Sequence, residues 1–195
     1  MSKKGNLVII SGFSGAGKGT VVKGLMARYD CYALSVSATT RAPREGEVNG
    51  REYFFKTREE FEEMIRQDAL YEYAQYVSNY YGTPKAYVQE QLDAGKDVIL
   101  EIEVQGALKV KEKNPKALLL FVTPPSAEEL KKRLQGRGTE TEEVINERMR
   151  RAADESELMD RYEYLVINDQ LEKCVEEVHP VSYTHLRAHE TGAYL

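Results

Sequence analysis

Between Gly12 and Thr20 the chain reads Gly-Phe-Ser-Gly-Ala-Gly-Lys-Gly-Thr. It follows the apolar run Leu7-Val8-Ile9-Ile10 and precedes the helix-spaced Val21, Val22, Leu25 and Met26. A strand, a glycine-rich turn and a helix in that order can hold a triphosphate. The first N–H groups of a helix lack intrahelical partners and carry roughly half a unit of positive charge, so they attract phosphate. Gly12, Gly15 and Gly17 let the backbone take positive φ and approach phosphate oxygens closely. Lys18 adds a mobile cation for the terminal phosphates. The spacing Gly12-x-x-x-x-Gly17-Lys18 fits the phosphate-binding loop, with Gly19 where a magnesium-binding hydroxyl is usual and Thr20 one place later. A dinucleotide-binding turn fits less well: Gly15-x-Gly17-x-Gly19 has the wrong last spacing, and Lys18 has no role there.

Other groups suited to anion chemistry lie further along. Arg41, Arg44 and Arg51 share a turn-rich loop with Pro43, Gly46 and Asn49-Gly50. Glu72 sits in the tyrosine-rich segment from Tyr71 to Thr83, Glu101 and Glu103 close an apolar strand, and residues 133–151 are dense in charge. Arg150, Arg151 and Glu155 read as solvated surface charge.

The elements that must position these groups follow from periodicity and end signals. Strands are predicted at 7–11, 32–37, 97–103, 117–122 and 164–167, the continuous apolar ones suiting a sheet covered on both faces. Asn49-Gly50 leads into a strand at Tyr53-Phe54-Phe55. A helix is predicted from about 18 to 29, and Thr57 with Glu60 caps another bearing Phe61, Met64 and Ile65. Thr83 reads as the N-cap of a helix with Pro84 in its first position and Gly95 as its stop. Ser126 with Glu129 forms a second capping box. A helix from about 142 to 159 follows a hinge-like break at Gly136 to Thr139. A last helix carries Leu171, Cys174, Val175 and Val178. Alternating strands and helices predict an α/β fold with a parallel sheet between helices.

Composition sets limits. The 195 residues carry 30% charged and 42% hydrophobic side chains, as a soluble domain does, and a net charge of −5 argues against a general nucleic-acid binder. Cys31 and Cys174 lack metal or redox spacing and read as buried thiols. The N-terminal stretch is too short for a signal peptide or a membrane span, so the expected location is the cytoplasm. Residues 180–195 show no amphipathic period and read as a disordered or non-native tail that interrupts the last helix. His185 and His189, four apart, lack a third partner for a metal site.

From about residue 6 to 178 the chain resembles the guanylate kinases. The resemblance rests on Ser35-Val36-Ser37-Ala38-Thr39-Thr40-Arg41-Ala42-Pro43-Arg44, Gly46-Glu47-Val48-Asn49-Gly50, Tyr80-Tyr81-Gly82-Thr83, Glu101-Ile102-Glu103-Val104-Gln105-Gly106, Arg133 to Thr139, and Asn168-Asp169. It implies a three-layer phosphate-loop core from residues 1–36, 84–125 and 151–179, within one domain over 1–179. A GMP-binding lobe at 37–83 and a lid at 126–150 complete that domain. It further implies transfer of a phosphoryl group from ATP to GMP with magnesium. ATP is assigned to Gly12, Phe13, Ser14, Gly15, Ala16, Gly17, Lys18, Gly19 and Thr20, with Arg133 and Arg137 beside it and Asn168 near the adenine. Guanine is assigned to Glu72, helped by Glu103, with Ser37 and Thr83 on its carbonyl. The GMP phosphate falls to Arg41, Arg44, Tyr53 and Tyr81. Lys18, Arg41, Arg137 and Arg148 surround the travelling group, Arg148 also touching GMP, and Thr20 and Glu101 serve magnesium, the latter through water. A carboxylate that meets guanine's two donors finds none on adenine. Two other readings stay open: a kinase for another monophosphate, since Gly19-Thr20 also suits adenylate kinases, and a non-catalytic binding module. Oligomeric state is not legible in the sequence.

Overall fold

The computed structural model describes residues 4–76, 78–136 and 141–191. Its centre is β1 (Leu7–Gly12), whose six residues are all buried. On one side β1 pairs with β7 (Asp97–Glu101), on the other with β8 (Leu118–Thr123), both parallel, with Ile9 facing Leu100 and Leu119. β2 (Tyr32–Leu34) and β9 (Tyr164–Ile167) complete a five-stranded parallel sheet in the order β2-β7-β1-β8-β9. Helix α1 (Lys18–Arg28) and the last helix α7 (Leu171–Thr191) pack on each other and on this sheet. α3 (Lys85–Asp93) packs on β7, and α4 (Val104–Lys113) packs on β1 and β8. Complete burial of β1 requires cover on both faces, which is why its sequence runs apolar without alternation.

A smaller sheet stands beside the core. Its order is β4-β3-β6-β5, from β4 (Phe54–Phe55), β3 (Ala38–Thr39), β6 (Asn79–Pro84) and β5 (Leu70–Tyr76). β5 and β6 form an antiparallel hairpin, so the tyrosine-rich segment is two strands. Helix α2 (Arg58–Arg66) covers this sheet, its Phe61 fully buried against Ala38 and Leu70. Thr57 and Glu60 form the expected capping box, of a kind worth about 1 kcal/mol. α4 also touches β5 and so joins the lobe to the core.

Cys31, read as a buried thiol, is exposed, and four further expectations change in the structure. The run 32–37 splits into β2 and β3, which belong to different sheets. Thr83 does not cap α3: the N-cap is Pro84 without a side-chain bond, because the Thr83 hydroxyl donates to Glu72 at 2.7 Å. Ser126 accepts from Glu129 N (3.2 Å), but the Glu129 carboxylate takes Arg133 Nε (2.9 Å) in place of closing a capping box. α5 (Ala127–Gly136) follows this turn, and α6 (Glu142–Ser156) leads to a single 3₁₀ turn at Met159–Arg161.

The fourth difference concerns the chain end. α7 runs through Pro180, where a break is expected. Packing holds it there: His179 stacks on Tyr29 (3.6 Å, 7°) and lies 3.1 Å from the Tyr32 hydroxyl. Ser182 is buried and donates to Val178 O (2.9 Å), and Val181 lies against the core. The side chains of His185 and His189, and Arg137, Gly138 and Thr139, fall outside the described residues. Truncation after Val178 is therefore expected to lower the melting temperature by about 4–8 °C, the equivalent of about 2 kcal/mol in a chain of this size. A thermal melt with an unchanged midpoint would show that residues 179–182 do not contribute to packing.

Candidate functional site

The carboxyl ends of β1, β7 and β8 meet at one edge, where open parallel sheets place their ligands. The loop leaves β1 at Gly12 and enters α1 through Gly17, whose φ of 90° makes it a left-handed N-cap. Neither glycine has room for a side chain. A Cβ on Gly12 would stand 2.0 Å from Val122 O, and one on Gly17 2.4 Å from Asn168 Nδ2. The missing side chains thus face protein beneath the loop, a demand that the motif does not reveal. Asn168, itself buried, donates to Ala16 O at 2.9 Å, and Arg133 donates to Asn168 O at 2.9 Å. These two residues brace the loop from below. Above it, Lys18 Nζ lies on Gly12 O (2.7 Å) and Phe13 O (3.0 Å), and Arg148 of α6 donates to Ser14 Oγ.

The loop opens into a cavity of about 450 Å³ whose wall includes Lys18, Glu101, Arg148 and Arg151. A Cβ at Gly19 would lie 3.6 Å from both Glu101 carboxylate oxygens, so position 19 faces that carboxylate directly. Thr20 is exposed and shares the adjoining cleft with Lys23 and Glu101. Among the described residues no group of three or more His, Cys, Asp or Glu could enclose a metal. Glu101, the one carboxylate lining the cleft that also holds Lys18 and Thr20, fits a divalent cation that arrives with its nucleotide and keeps its waters. It does not fit a caged metal.

A second cavity, about 570 Å³, lies between the small sheet, the segment 101–103 at the end of β7, and Arg151 of α6, and Ser37, Tyr53, Glu72, Tyr81 and Glu103 all line it. Glu72 is largely buried on β5. Burial pushes its carboxyl above the usual carboxylate range; the bond from Thr83 opposes that shift and the nearby Glu103 charge adds to it. Gly106, in the first turn of α4, lets Glu72 sit close: a Cβ there would be 3.2 Å from Glu72 Oε2. Thr83 has a single hydroxyl proton, which serves Glu72 and orients it.

Arg41 lies over the rings of Tyr53 (5.4 Å) and Phe55 (5.9 Å) and donates to Glu47 Oε1 at 2.9 Å. The other Glu47 oxygen accepts from Arg44 N at 2.7 Å, while the Arg44 side chain stays exposed. The structure thus gathers Arg41, Tyr53 and Tyr81 and leaves the Arg44 guanidinium outside. Sequence reasoning missed Glu47, although it stands in a quoted motif. Arg151, read as surface charge, is exposed as expected and also lines both cavities.

A phosphate loop at the strand ends, facing a separate pocket for a second small molecule, defines a phosphotransferase of the phosphate-loop nucleotide-binding class. Within that class the model of the guanylate kinase family matches residues 4–182, and the chain belongs to that family. It is 56% identical to a guanylate kinase of Halalkalibacterium halodurans over 90% of this chain and 86% of that one. A guanylate kinase of Bacillus anthracis is 52% identical over 99% of this chain and 95% of its own. The crystal structure of guanylate kinase from Anaplasma phagocytophilum superposes with a TM-score of 0.72 at 29% identity, covering 95% of this chain and 88% of the other.

The position of Glu72 sets stability against binding. A raised carboxyl pKa means that the folded chain keeps its proton to higher pH than the unfolded chain does. The protein without ligand therefore loses stability as pH rises through that window, from the ordinary glutamate range near about 4.3 upward. Glu72→Gln, which can still accept from Thr83, is expected to remove that loss, melting higher than the parent at pH 7. A parent and variant with the same midpoint across pH 4–8, followed by calorimetry, would contradict the assignment.

Proposed function

We propose that this chain transfers the terminal phosphoryl group of ATP to GMP, giving ADP and GDP. The observation that carries the reading is the pairing of the braced phosphate loop with a pocket walled by a buried, Thr83-bound carboxylate. Guanine presents a ring N–H and an exocyclic amine as donors. Glu72 accepts both, Glu103 assists, and Ser37 serves the carbonyl, while Thr83, fully buried and outside the pocket lining, holds Glu72 in place of the expected contact with the carbonyl. A base without those donors leaves Glu72 buried and unpaired, which costs about 1–3 kcal/mol or more.

The ATP phosphates take the N–H groups from Gly12 to Thr20, and Lys18 exchanges its loop carbonyls for phosphate oxygens. Arg133 and Asn168 border the adenine side. Arg41, Tyr53 and Tyr81 hold the acceptor phosphate, Arg41 releasing Glu47 as it does so, and Arg44 swings in from the surface. An oxygen of the GMP phosphate forms the new bond to the γ-phosphorus, and the bridging oxygen leaves with ADP. That acceptor oxygen is already mostly ionised at pH 7, its second pKa being near about 6, so no strong base is required. Catalysis is alignment and charge neutralisation by Lys18, Arg41 and Arg148, joined by Arg137. Glu101, through water and with Thr20 nearby, would hold a magnesium ion, which would supply charge neutralisation to the phosphates.

Residues 37–83 serve as the acceptor lobe and 126–150 as a lid that excludes water. The two cysteines are unpaired, which suits a cytoplasmic enzyme. In a coupled assay, ADP release from ATP is expected to require GMP, and AMP is expected to be at least about a hundredfold poorer in kcat/KM. Lys18→Met is expected to lower kcat by about 10²–10³. Preference for AMP would overturn the base assignment, and absence of any nucleotide-dependent ADP release would point to a non-catalytic binding module.

A further inference from the structure

One face of α6 lines the phosphate cavity with Glu147, Arg148, Arg151 and Glu155, the spacing of a single helical stripe. Arg148 reaches the phosphate loop at Ser14. Arg151, three residues on, also borders the acceptor pocket, and its Nη2 lies 3.8 Å from Glu103 Oε2. Glu103 is the N-cap residue of α4, so its backbone is fixed to the core. A single rigid helix thus touches the donor loop with one arginine and the base end of the acceptor pocket with the next. α6 is continuous from Glu142 to Ser156, so its backbone carries the two arginines as one body.

We propose that Arg151 is a positioning residue that couples recognition of the acceptor's base, through Glu103, to placement of Arg148 over the phosphates. The proposal rests on the GMP reading above and adds a residue to it.

The physical basis is a difference between the open and the filled cleft. Both partners are about half exposed, 59% and 52%, so water screens the pair while the cavity is open. A nucleotide filling the cavity displaces that water and lowers the local dielectric, and the same two charges attract more strongly. An interaction stronger in the loaded state favours that state, and by linkage the loaded state favours the contact. Arg151 also offsets the repulsion between Glu103 and the buried Glu72, since Glu103 raises the cost of ionising Glu72. Glu155 stands one turn further along α6 and lines the same cavity. Its half-buried carboxyl is pushed up by burial and drawn down by Arg151 and Lys18.

The test is steady-state kinetics on the full chain with Arg151→Ala, Arg151→Lys, Glu103→Gln and the Arg151→Ala/Glu103→Gln double variant. Arg151→Ala is expected to raise KM for GMP about tenfold and lower kcat about threefold, leaving KM for ATP within about twofold. Arg151→Lys should recover most of the loss. In the Glu103→Gln background the Arg151 change should add nothing further to KM for GMP, because its partner charge is already gone. Additive effects, an equal rise in KM for ATP, or no change in KM for GMP would each overturn the proposal. A melting temperature within about 2 °C of the parent separates this role from a structural one. If the parent chain shows no GMP-dependent ADP release, the functional reading fails on its own, before any variant is compared.

Discussion

The backbone from Gly12 to Gly17 has to turn with positive φ in space that the protein beneath has already filled. Val122 O closes one side, Leu134 reaches Gly15, and the Asn168 amide stands under Gly17 while bonding Ala16 O. The curvature that aims N–H groups at a phosphate is therefore imposed by β8, α5 and the residue just after β9. This ties the order of the parallel sheet to the chemistry. β8 and β9 must lie side by side for Val122 and Asn168 to meet the loop together, and Arg133 locks α5 to the same point through Asn168 O. The cost of arranging the donors is met during folding, so a bound phosphate finds them already in place.

Without nucleotide, the cations of both sites rest on internal acceptors. Lys18 lies on two loop carbonyls, Arg41 on Glu47 and Arg148 on Ser14. A bound phosphate thus replaces one hydrogen-bonded partner by another of greater charge, and no buried cation has to wait without a partner. The same logic holds for the carboxylate of Glu72, which Thr83 satisfies with one bond and which has acceptor capacity left over. On the proposed reading, that remaining capacity gives the pocket its preference. A ligand that supplies two donors relieves the burial penalty on Glu72, and one that supplies none leaves the penalty standing.

Much of this was legible in the chain. The phosphate loop and the parallel sheet follow from local patterns that tertiary packing leaves intact, whereas the residues of the second pocket are named only through the resemblance to the guanylate kinases. The misreadings have a common cause, namely that a side chain's partner was distant in sequence. Thr83 carries a good cap signal before Pro84, yet the strand pairing of β5 with β6 brings Glu72 within reach of its hydroxyl, and a buried carboxylate outcompetes a helix end. Pro180 is a strong break signal, but His179 has partners just past the end of α1 and on β2, and Ser182 bonds the preceding turn of α7, which together hold the helix on course. Arg151 looks like any arginine on a charged helix, because which face of α6 is wet depends on where the cavity lies. The glycines were legible as a motif but not for the reason the structure adds, since nothing local announces that Val122 O and Asn168 lie below them.

The position of α6 bears on a problem every phosphoryl-transfer enzyme faces. Water is present at far higher concentration than any nucleotide, so an activated γ-phosphoryl group must be exposed only when the right acceptor is beside it. Arg148 and Arg151 lie on one face of one helix, the first on the donor loop and the second beside Glu103 at the acceptor pocket. A helix seated at both ends keeps its charges over the reaction centre; a helix seated at one end leaves room for water to enter. The discrimination against water then draws on the same carboxylates that discriminate between bases, since acceptor binding strengthens the second contact. Selectivity for the acceptor and protection of the donor are, on this geometry, two consequences of a single arrangement of charge.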